Sequence, residues 1–402
     1  MSKVAIVKIE NKQIELAVRK AIDLLGGITK FISNEERVLL KPNLLSAPEN
    51  KEALEKIRTD PRVLEALIKL LMEKRSPKIM VGDCSGVGEK GGTKEAIRKS
   101  GYLVLEEKYQ NVEVRSLEAR GPVHVDINGK KLKSATVAKD VMETKAIINV
   151  PKMKTHSLTI FTGAVKNLFG TITGGDKTRI HSLGGTLNGF SQCLVDLYSF
   201  EKEKIKLNVM DANVALEGSG PGAAGKAVKM GLILASEDAV ALDAVAVTLM
   251  GIAPEKVPTL RFAHEQGLGE IDIEKITILG EQIIDHKRKF KFPKSARIAF
   301  LPFQRFSKIL QRYPKYKSGC INCQSCVKGC PEQVITIITN KKGEPQPRIN
   351  LKGCIACYTC IEICPEACYG YESRTLRRVI LVFSALLVVV AALITFLVLF
   401  LR

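Results

Sequence analysis

Near the end of the 402-residue chain, Cys320, Cys323, Cys326 and Cys330 precede Pro331, and Cys354, Cys357, Cys360 and Cys364 precede Pro365. The same spacing, used twice, leaves this segment little conformational choice. Each iron of a [4Fe-4S] cluster needs one soft thiolate, and three cysteines spaced by two residues let a single tight loop supply three of them. Structural zinc more often takes separated cysteine pairs, sometimes with His, and gives no reason for a third short spacing and a Pro. Disulfides need an oxidising compartment, whereas Met1-Ser2-Lys3 leads directly into an amphipathic strand-like segment with no apolar signal region. The spacing therefore predicts two [4Fe-4S] clusters facing a reducing cytoplasm.

The runs also form an internal repeat, in which Pro331-Glu332-Gln333-Val334 aligns with Pro365-Glu366-Ala367-Cys368. Cys368 thus falls where the first half has Val334, which favours a small buried side chain over a ligand. Val334 to Ile338 reads as a short strand and Asn340 to Gly343 as a turn. Over residues 317 to 372 the chain resembles the bacterial two-cluster ferredoxins. That resemblance implies an α+β fold, one-electron transfer at low potential, and crossed ligation by the Cys that precedes each Pro. It assigns Cys320, Cys323, Cys326 and Cys364 to one cluster, and Cys354, Cys357, Cys360 and Cys330 to the other.

Val379 to Leu401 follows, without a charge and with Ser384 and Thr395 as its only polar side chains. It is long enough to span a bilayer, and a buried core helix explains its uniform apolarity poorly. Arg374, Arg377 and Arg378 precede it and only Arg402 comes after, so the positive-inside rule keeps the N-terminal domains in the cytoplasm. Ahead of the ferredoxin, His286 to Pro331 contains no acidic residue. The cations from Lys287 to Lys317 alternate there with Phe290, Phe292, Phe300, Phe303, Phe306, Tyr313 and Tyr316. This mixture suits anionic lipid headgroups or an acidic redox partner better than single-stranded nucleic acid, and a solvated linker is the plain alternative. The formal charge of +19 decides nothing by itself, because eight cluster thiolates lower it.

The preceding 280 or so residues alternate strand-like and helix-like runs. Val4 to Ile9, Arg37 to Leu40, Lys78 to Val81, Ala146 to Val150, Leu207 to Met210, Gly231 to Ala235 and Ile276 to Leu279 read as strands. Gln13 to Leu25 and Pro61 to Glu73 read as helices. An α/β domain with a mainly parallel sheet follows, and ligands of such sheets bind beyond the carboxyl ends of strands. Those ends carry Lys41-Pro42-Asn43, Asp83, Pro151-Lys152-Met153-Lys154-Thr155-His156 and Asp211. Thr162 to Gly170 adds Lys166 and Asn167, with Lys177 and His181 beyond. Lys41, Lys152, Lys154 and Lys166 with Asn43 and Asn167 suit a carboxylate or phosphate, and His156 suits proton transfer, with Lys154 beside it. Solvated lysines, helix-capping aspartates and a carbonyl-bonded His are the bland accounts of the same residues. The loop Glu217 to Gly222 offers backbone amides to an anion, but it matches neither a Walker A motif nor a dinucleotide fingerprint, so neither ATP nor NAD is expected.

The combination of Lys41-Pro42-Asn43, Asn149 to His156, Lys166-Asn167 with Gly170, and Asp238 to Asp243 resembles the family called domain of unknown function 362, over residues 3 to 280. The resemblance implies a large domain similar to the N-terminal domain of lactate racemases, often joined to a ferredoxin module, with unsettled chemistry. Cys84 departs from the Ser expected there; a packed small side chain is the simpler account, an extra thiolate ligand the other. The expected organisation is an α/β domain at 1–285, a basic aromatic linker at 286–316, a two-cluster ferredoxin at 317–373 and a transmembrane anchor at 376–402. The expected function is electron transfer through the clusters to or from an anionic substrate, as an oxidoreductase or a redox-dependent maturation enzyme. The alternative is a non-catalytic electron-transfer subunit whose α/β domain binds a partner or small ligand.

Overall fold

The computed structural model describes residues 1–32, 37–45, 51–74, 77–85, 92–156, 159–184, 187–218, 220–222, 225–292, 313–328, 330, 332–340, 342–354, 360 and 368–372. Among the described residues, twelve strands precede residue 281: β1 (Lys3–Lys8), β2 (Arg37–Pro42), β3 (Lys78–Asp83), β4 (Val112–Ser116), β5 (Pro122–Asp126), β6 (Ser134–Ala138), β7 (Ala146–Val150), β8 (Lys152–His156), β9 (Ile160–Thr162), β10 (Ile205–Glu217), β11 (Lys226–Ser236) and β12 (Thr277–Gly280). Ten of them form one sheet, ordered β12-β1-β11-β10-β7-β2-β3-β4, with β8 pairing with β10 and β9. Along that path β11 alone runs against its neighbours, because it is the return arm of a hairpin with β10; the other contacts are parallel. The mainly parallel sheet expected from the alternation of elements is therefore present.

Strands of this kind need both faces covered, and their sequences are correspondingly apolar. Val38 and Leu40 join Ala146, Ile148, Val150, Leu207 and Val209 on one face, under helices Ile14–Leu24 and Pro61–Lys74. The first of these helices repeats Ile14, Ala17, Val18, Ala21 and Ile22 at helical spacing, which places a single apolar stripe against the sheet. The second opens on Pro61 at its first turn, where the missing N–H costs nothing. The other face packs against helices Leu187–Glu201 and Ala239–Leu249. The latter is apolar nearly all round because it is buried nearly all round, and Asp238 caps its start by accepting from Val240 N and Ala241 N.

Two sequence expectations are corrected here. Lys152 to His156, read as following the strand that ends at Val150, form a strand of their own, β8, beside β10, and Asp211, read as following a strand, lies inside β10. Polar side chains at these positions are tolerated in strands because each finds a polar partner in the interior, Lys152 in Asp211 and the others in backbone and amide groups. The beginning of the basic segment differs as well. Arg288 N donates to Leu249 O at 2.7 Å and Phe290 N to Met250 O at 3.0 Å. Phe290 is buried in the core beside helix Ala239–Leu249, and Phe292 packs against it, so these two rings are not available to a headgroup layer.

The cysteine-rich part contains two antiparallel pairs, β13 (Tyr313–Tyr316) with β16 (Tyr369–Glu372) and β14 (Ile335–Thr339) with β15 (Pro345–Ile349). The turn expected at Asn340 to Gly343 closes the second pair, with Gly343 N donating to Asn340 O at 3.0 Å. Cys326, Ile335, Cys360, Cys368 and Tyr369 are buried together. Cys357, Cys364, residues 293–312 and the apolar run Val379 to Leu401 lie outside the described residues. Among the described residues no helix is long and apolar enough to cross a membrane.

Candidate anion site and iron-sulfur ligands

Adjacent strands set polar groups side by side on the face of the sheet that meets helix Ala239–Leu249. Lys41 on β2 is level with Asn149 on β7, and Asn149 with Asn208 on β10. Amides link them: Asn149 Nδ2 donates to Asn208 Oδ1 at 2.8 Å, Asn167 Nδ2 donates to Asn149 Oδ1 at 2.8 Å, and Asn43 Nδ2 donates to Asn167 Oδ1 at 3.0 Å. Asn43 Oδ1 in turn accepts from Lys154 Nζ, which also donates to Ile57 O at 2.9 Å. Asn43, Lys154 and Asn167, predicted separately from three segments, are therefore one connected group.

The lysines divide into two classes. Lys41 Nζ lies 2.7 Å from Asp83 Oδ1, and Lys152 Nζ lies 2.8 Å from Asp211 Oδ2, both as buried ion pairs. Asp83 and Asp211 are also held by backbone, accepting from Leu44 N and Asp60 N at 2.7 and 2.8 Å. These four residues thus neutralise one another in pairs, which sets Lys41 and Lys152 apart from the other two lysines. Lys154 and Lys166, by contrast, form no ion pair with any described carboxylate. Lys166 Nζ sits 5.3 Å from the centre of the Phe169 ring and 5.5 Å from that of Phe190. His181 stacks on Phe190 with ring centres 4.0 Å apart.

Burial without a counter-charge shows in the protonation of these groups. Burial, then the nearby Lys166 and Lys152, holds Lys154 well below an ordinary lysine. Burial, then Lys177, lowers Lys166 to about 7. His156 is driven well below its ordinary value by burial, then by Lys166, and His181 by the same causes to about 3. Both imidazoles are neutral. His156 Nδ1 accepts from Thr159 N at 3.2 Å, which leaves the ring proton on Nε2. A neutral imidazole with its proton on Nε2 is a weak base but a hydrogen-bond donor, a role that suits an anionic ligand beside two amines.

Backbone close approach fixes the group further. A Cβ on Gly170 would stand 2.1 Å from Asp83 Oδ1 and 2.6 Å from Lys41 Nζ, so only glycine fits over that ion pair. Asp243 accepts from Ala164 N at 2.6 Å and Val165 N at 3.0 Å, which anchors the turn carrying Lys166 and Asn167. The Gly218 loop has a different role from the one expected. Gly218 N donates to Lys291 O and Gly220 N to Gly218 O, both at 2.7 Å, so these amides are already used. Cys84 is buried with Leu39, Met80, Leu117 and Ile147, and burial pushes its thiol well above the ordinary range, which fits packing and not thiolate ligation.

Sequence reasoning did not find Thr59, Asp60, Asn208 or Glu201. Thr59 Oγ1 accepts from Asn43 N at 2.9 Å and donates to Val150 O at 2.7 Å, bridging two strand ends. Asn208 carried a usable signal, a lone amide in the apolar run Leu207 to Met210. Glu201 had none, since its carboxyl enters from the end of a helix to accept from Thr171 Oγ1 at 2.6 Å.

A family model described as "Domain of unknown function (DUF362)" matches residues 38–248, slightly over half of the chain. The chain belongs to this family. A model described as a 4Fe-4S dicluster domain matches residues 319–368, which makes the DUF362 protein an iron-sulfur protein of ferredoxin type. A thylakoid-associated protein of Synechocystis is 32% identical over 253 residues, covering 63% of this chain and 74% of its own length. Two solved structures share lower similarity. A Thermotoga maritima protein aligns at 16% identity with a TM-score of 0.33, over 63% of this chain and 59% of its own. The lactate racemase apoprotein of Thermoanaerobacterium thermosaccharolyticum aligns at 12% identity with a TM-score of 0.41, over 63% and 58%.

In the iron-sulfur segment of this DUF362 protein, no three His, Cys, Asp or Glu side chains among the described residues are grouped as metal ligands, but the backbone around two cysteines is distinctive. Asn322 and Gln324 adopt left-handed backbone (φ 57° and 61°), which curls the loop between Cys320 and Cys326. Asn322 N lies 3.4 Å from Cys320 Sγ and Val334 N 3.4 Å from Cys330 Sγ, the N–H to sulfur contacts that stabilise thiolate ligands. Cys368 Sγ donates to Gly319 O at 3.1 Å in the buried core, as a packed thiol does.

Proposed function

We propose that the protein is a membrane-anchored iron-sulfur oxidoreductase or redox-dependent maturation enzyme. Its α/β domain holds a small anionic substrate, and electrons reach that substrate one at a time through two [4Fe-4S] clusters. The observation that supports this reading is the hydrogen-bonded group of Asn43, Lys154 and Asn167, with Lys166 and His156 near enough to act electrostatically on it, in a chain with a dicluster domain. Lys154 and Lys166 attract the substrate, the amides orient it, and His156 moves a proton. Cys320, Cys323, Cys326 and Cys364 hold one cluster; Cys354, Cys357, Cys360 and Cys330 hold the other. An acidic redox protein docks on the basic surface.

Val379 to Leu401 supplies the anchor, with the folded domains on the cytoplasmic side. The thylakoid association named for the Synechocystis relative supports a membrane location. The test is anaerobic purification of the whole chain in detergent. Iron and sulfide should each reach about eight per chain, the content of two four-iron clusters. A small anion should co-purify and change when the clusters are reduced. Stoichiometric zinc without iron would refute the cluster assignment, and a ligand indifferent to reduction would refute the redox role. Protease added to cytoplasm-facing vesicles should release the ferredoxin segment; its protection would refute the orientation.

A further inference from the structure

The charges of the buried cluster can be balanced residue by residue. Lys41 is cancelled by Asp83 and Lys152 by Asp211. Lys177 Nζ donates to Cys84 O and Ser85 O, both at 2.6 Å, so its ammonium is solvated by carbonyls. Lys154 has an amide oxygen and one carbonyl, and Lys166 has two aromatic faces. The carboxylates of the packed elements are engaged elsewhere. Asp243 on helix Ala239–Leu249 holds two backbone amides, Glu201 on helix Leu187–Glu201 accepts from Thr171, and Glu118 accepts from Thr93 Oγ1 and Gly174 N. The remaining titratable groups facing Lys166 are His156 on β8 and Lys177 and His181 on helix Asp176–Gly184, none of them negative. Among the described residues, and apart from the carbonyl-solvated Lys177, Lys154, buried, and Lys166, partly accessible, are therefore the two amines of the cluster with no carboxylate in ion-pair contact.

We propose that the ligand of this site is a small dianion, a phosphate ester or a dicarboxylate, held between Lys154 and Lys166. The inference rests on the anion-binding reading given above and adds its charge. A monoanion would leave one of the two ammonium groups without a counter-charge, whereas two negative charges match two amines. Protonation follows from the same balance. Empty, the cluster keeps these amines partly deprotonated; a dianion favours their charged forms, so binding takes up protons and tightens as pH falls. Sulfate keeps its double charge across the useful range and so reports the protein's protons alone.

Isothermal titration of the whole detergent-purified chain with sulfate, malonate and acetate, between about pH 6 and about pH 9 and in buffers of differing ionisation heat, tests this. At least one dianion should bind about tenfold or more tightly than acetate, with proton uptake. Sulfate ahead of malonate identifies the phosphate-ester class, and the reverse identifies a dicarboxylate. Lys166→Met should erase the preference, while Lys166→Arg, always charged, should keep it with less proton uptake. Equal affinity for acetate and both dianions, or binding without proton uptake, overturns the double charge while leaving an anion site intact. Failure of all three anions to bind the folded wild-type chain overturns both readings. The wild-type titrations decide among these results even where a variant does not fold.

Discussion

Lys41 and Asp83 show how a single buried pair governs its surroundings. Both are almost fully enclosed, and removing one partner leaves an uncompensated charge. Lys41→Met should cost about 3–5 kcal/mol in urea unfolding, and Lys41→Met combined with Asp83→Leu should recover most of it. Gly170→Ala should approach the single-variant loss, because its methyl would enter the same pair. Glu201 offers a prediction in pH. Burial raises its carboxyl from 4.5 to about 8, against the opposing Thr171 hydrogen bond, so the folded state holds a proton that the unfolded state releases. The resulting stability is complete below about pH 4.5 and is lost as pH rises through about 8. Glu201→Gln should remove this slope, so its thermal midpoint should gain on wild type as pH increases; parallel curves would refute the assignment. At this scale the sequence was informative about Asn43, Lys154 and Asn167, because polar residues directly after apolar runs are visible as such. It could not distinguish Lys41 and Lys152 from Lys154, since a counter-ion 42 or 59 positions away leaves no local trace (Lys41 to Asp83, Lys152 to Asp211).

Elements were legible where a periodic apolar pattern decided the outcome, as in helix Ile14–Leu24 and β7. The β5–β6 hairpin was not recognised, although Asn128-Gly129 between its arms is a turn signal and Asn128 takes a left-handed backbone (φ 53°). β8 was hidden because Lys, Thr and His are unusual in a buried strand, and only their interior partners permit them there. The segment after helix Ile283–His286 is the other element that composition misrepresents. Its cations and rings suggested a linker facing lipid or an acidic partner, while Phe290 fixes its start to the α/β core and Lys291 N donates to Glu217 Oε2 at 2.9 Å. Phe290→Ala should cost about 3 kcal/mol and open the chain near Lys287 to trypsin. Unchanged stability with unchanged cleavage would show that the backbone bonds alone hold it.

Across the molecule, the two cores contain separate sets of side chains, one around the large sheet and one around Cys326, Cys360 and Cys368. Chelation of iron should therefore unfold the small core and leave the large one, giving two thermal transitions where the loaded chain's small core is held by its clusters. A single transition lost entirely on chelation would show the two to be cooperative. The sheet also dictates an order of events. β1 comes earliest in the chain yet lies between β11 and β12, and β10 and β11 separate it from β7. During synthesis its edge must wait, unpaired, until about 230 further residues have emerged (from Lys3 to Ser236), and the sheet is complete only at Gly280. Forty residues later the first cluster cysteine appears (Gly280 to Cys320). The ribosome thus delivers a finished α/β body before it exposes the first cysteine of the dicluster segment, so the large sheet can close before any iron is loaded there.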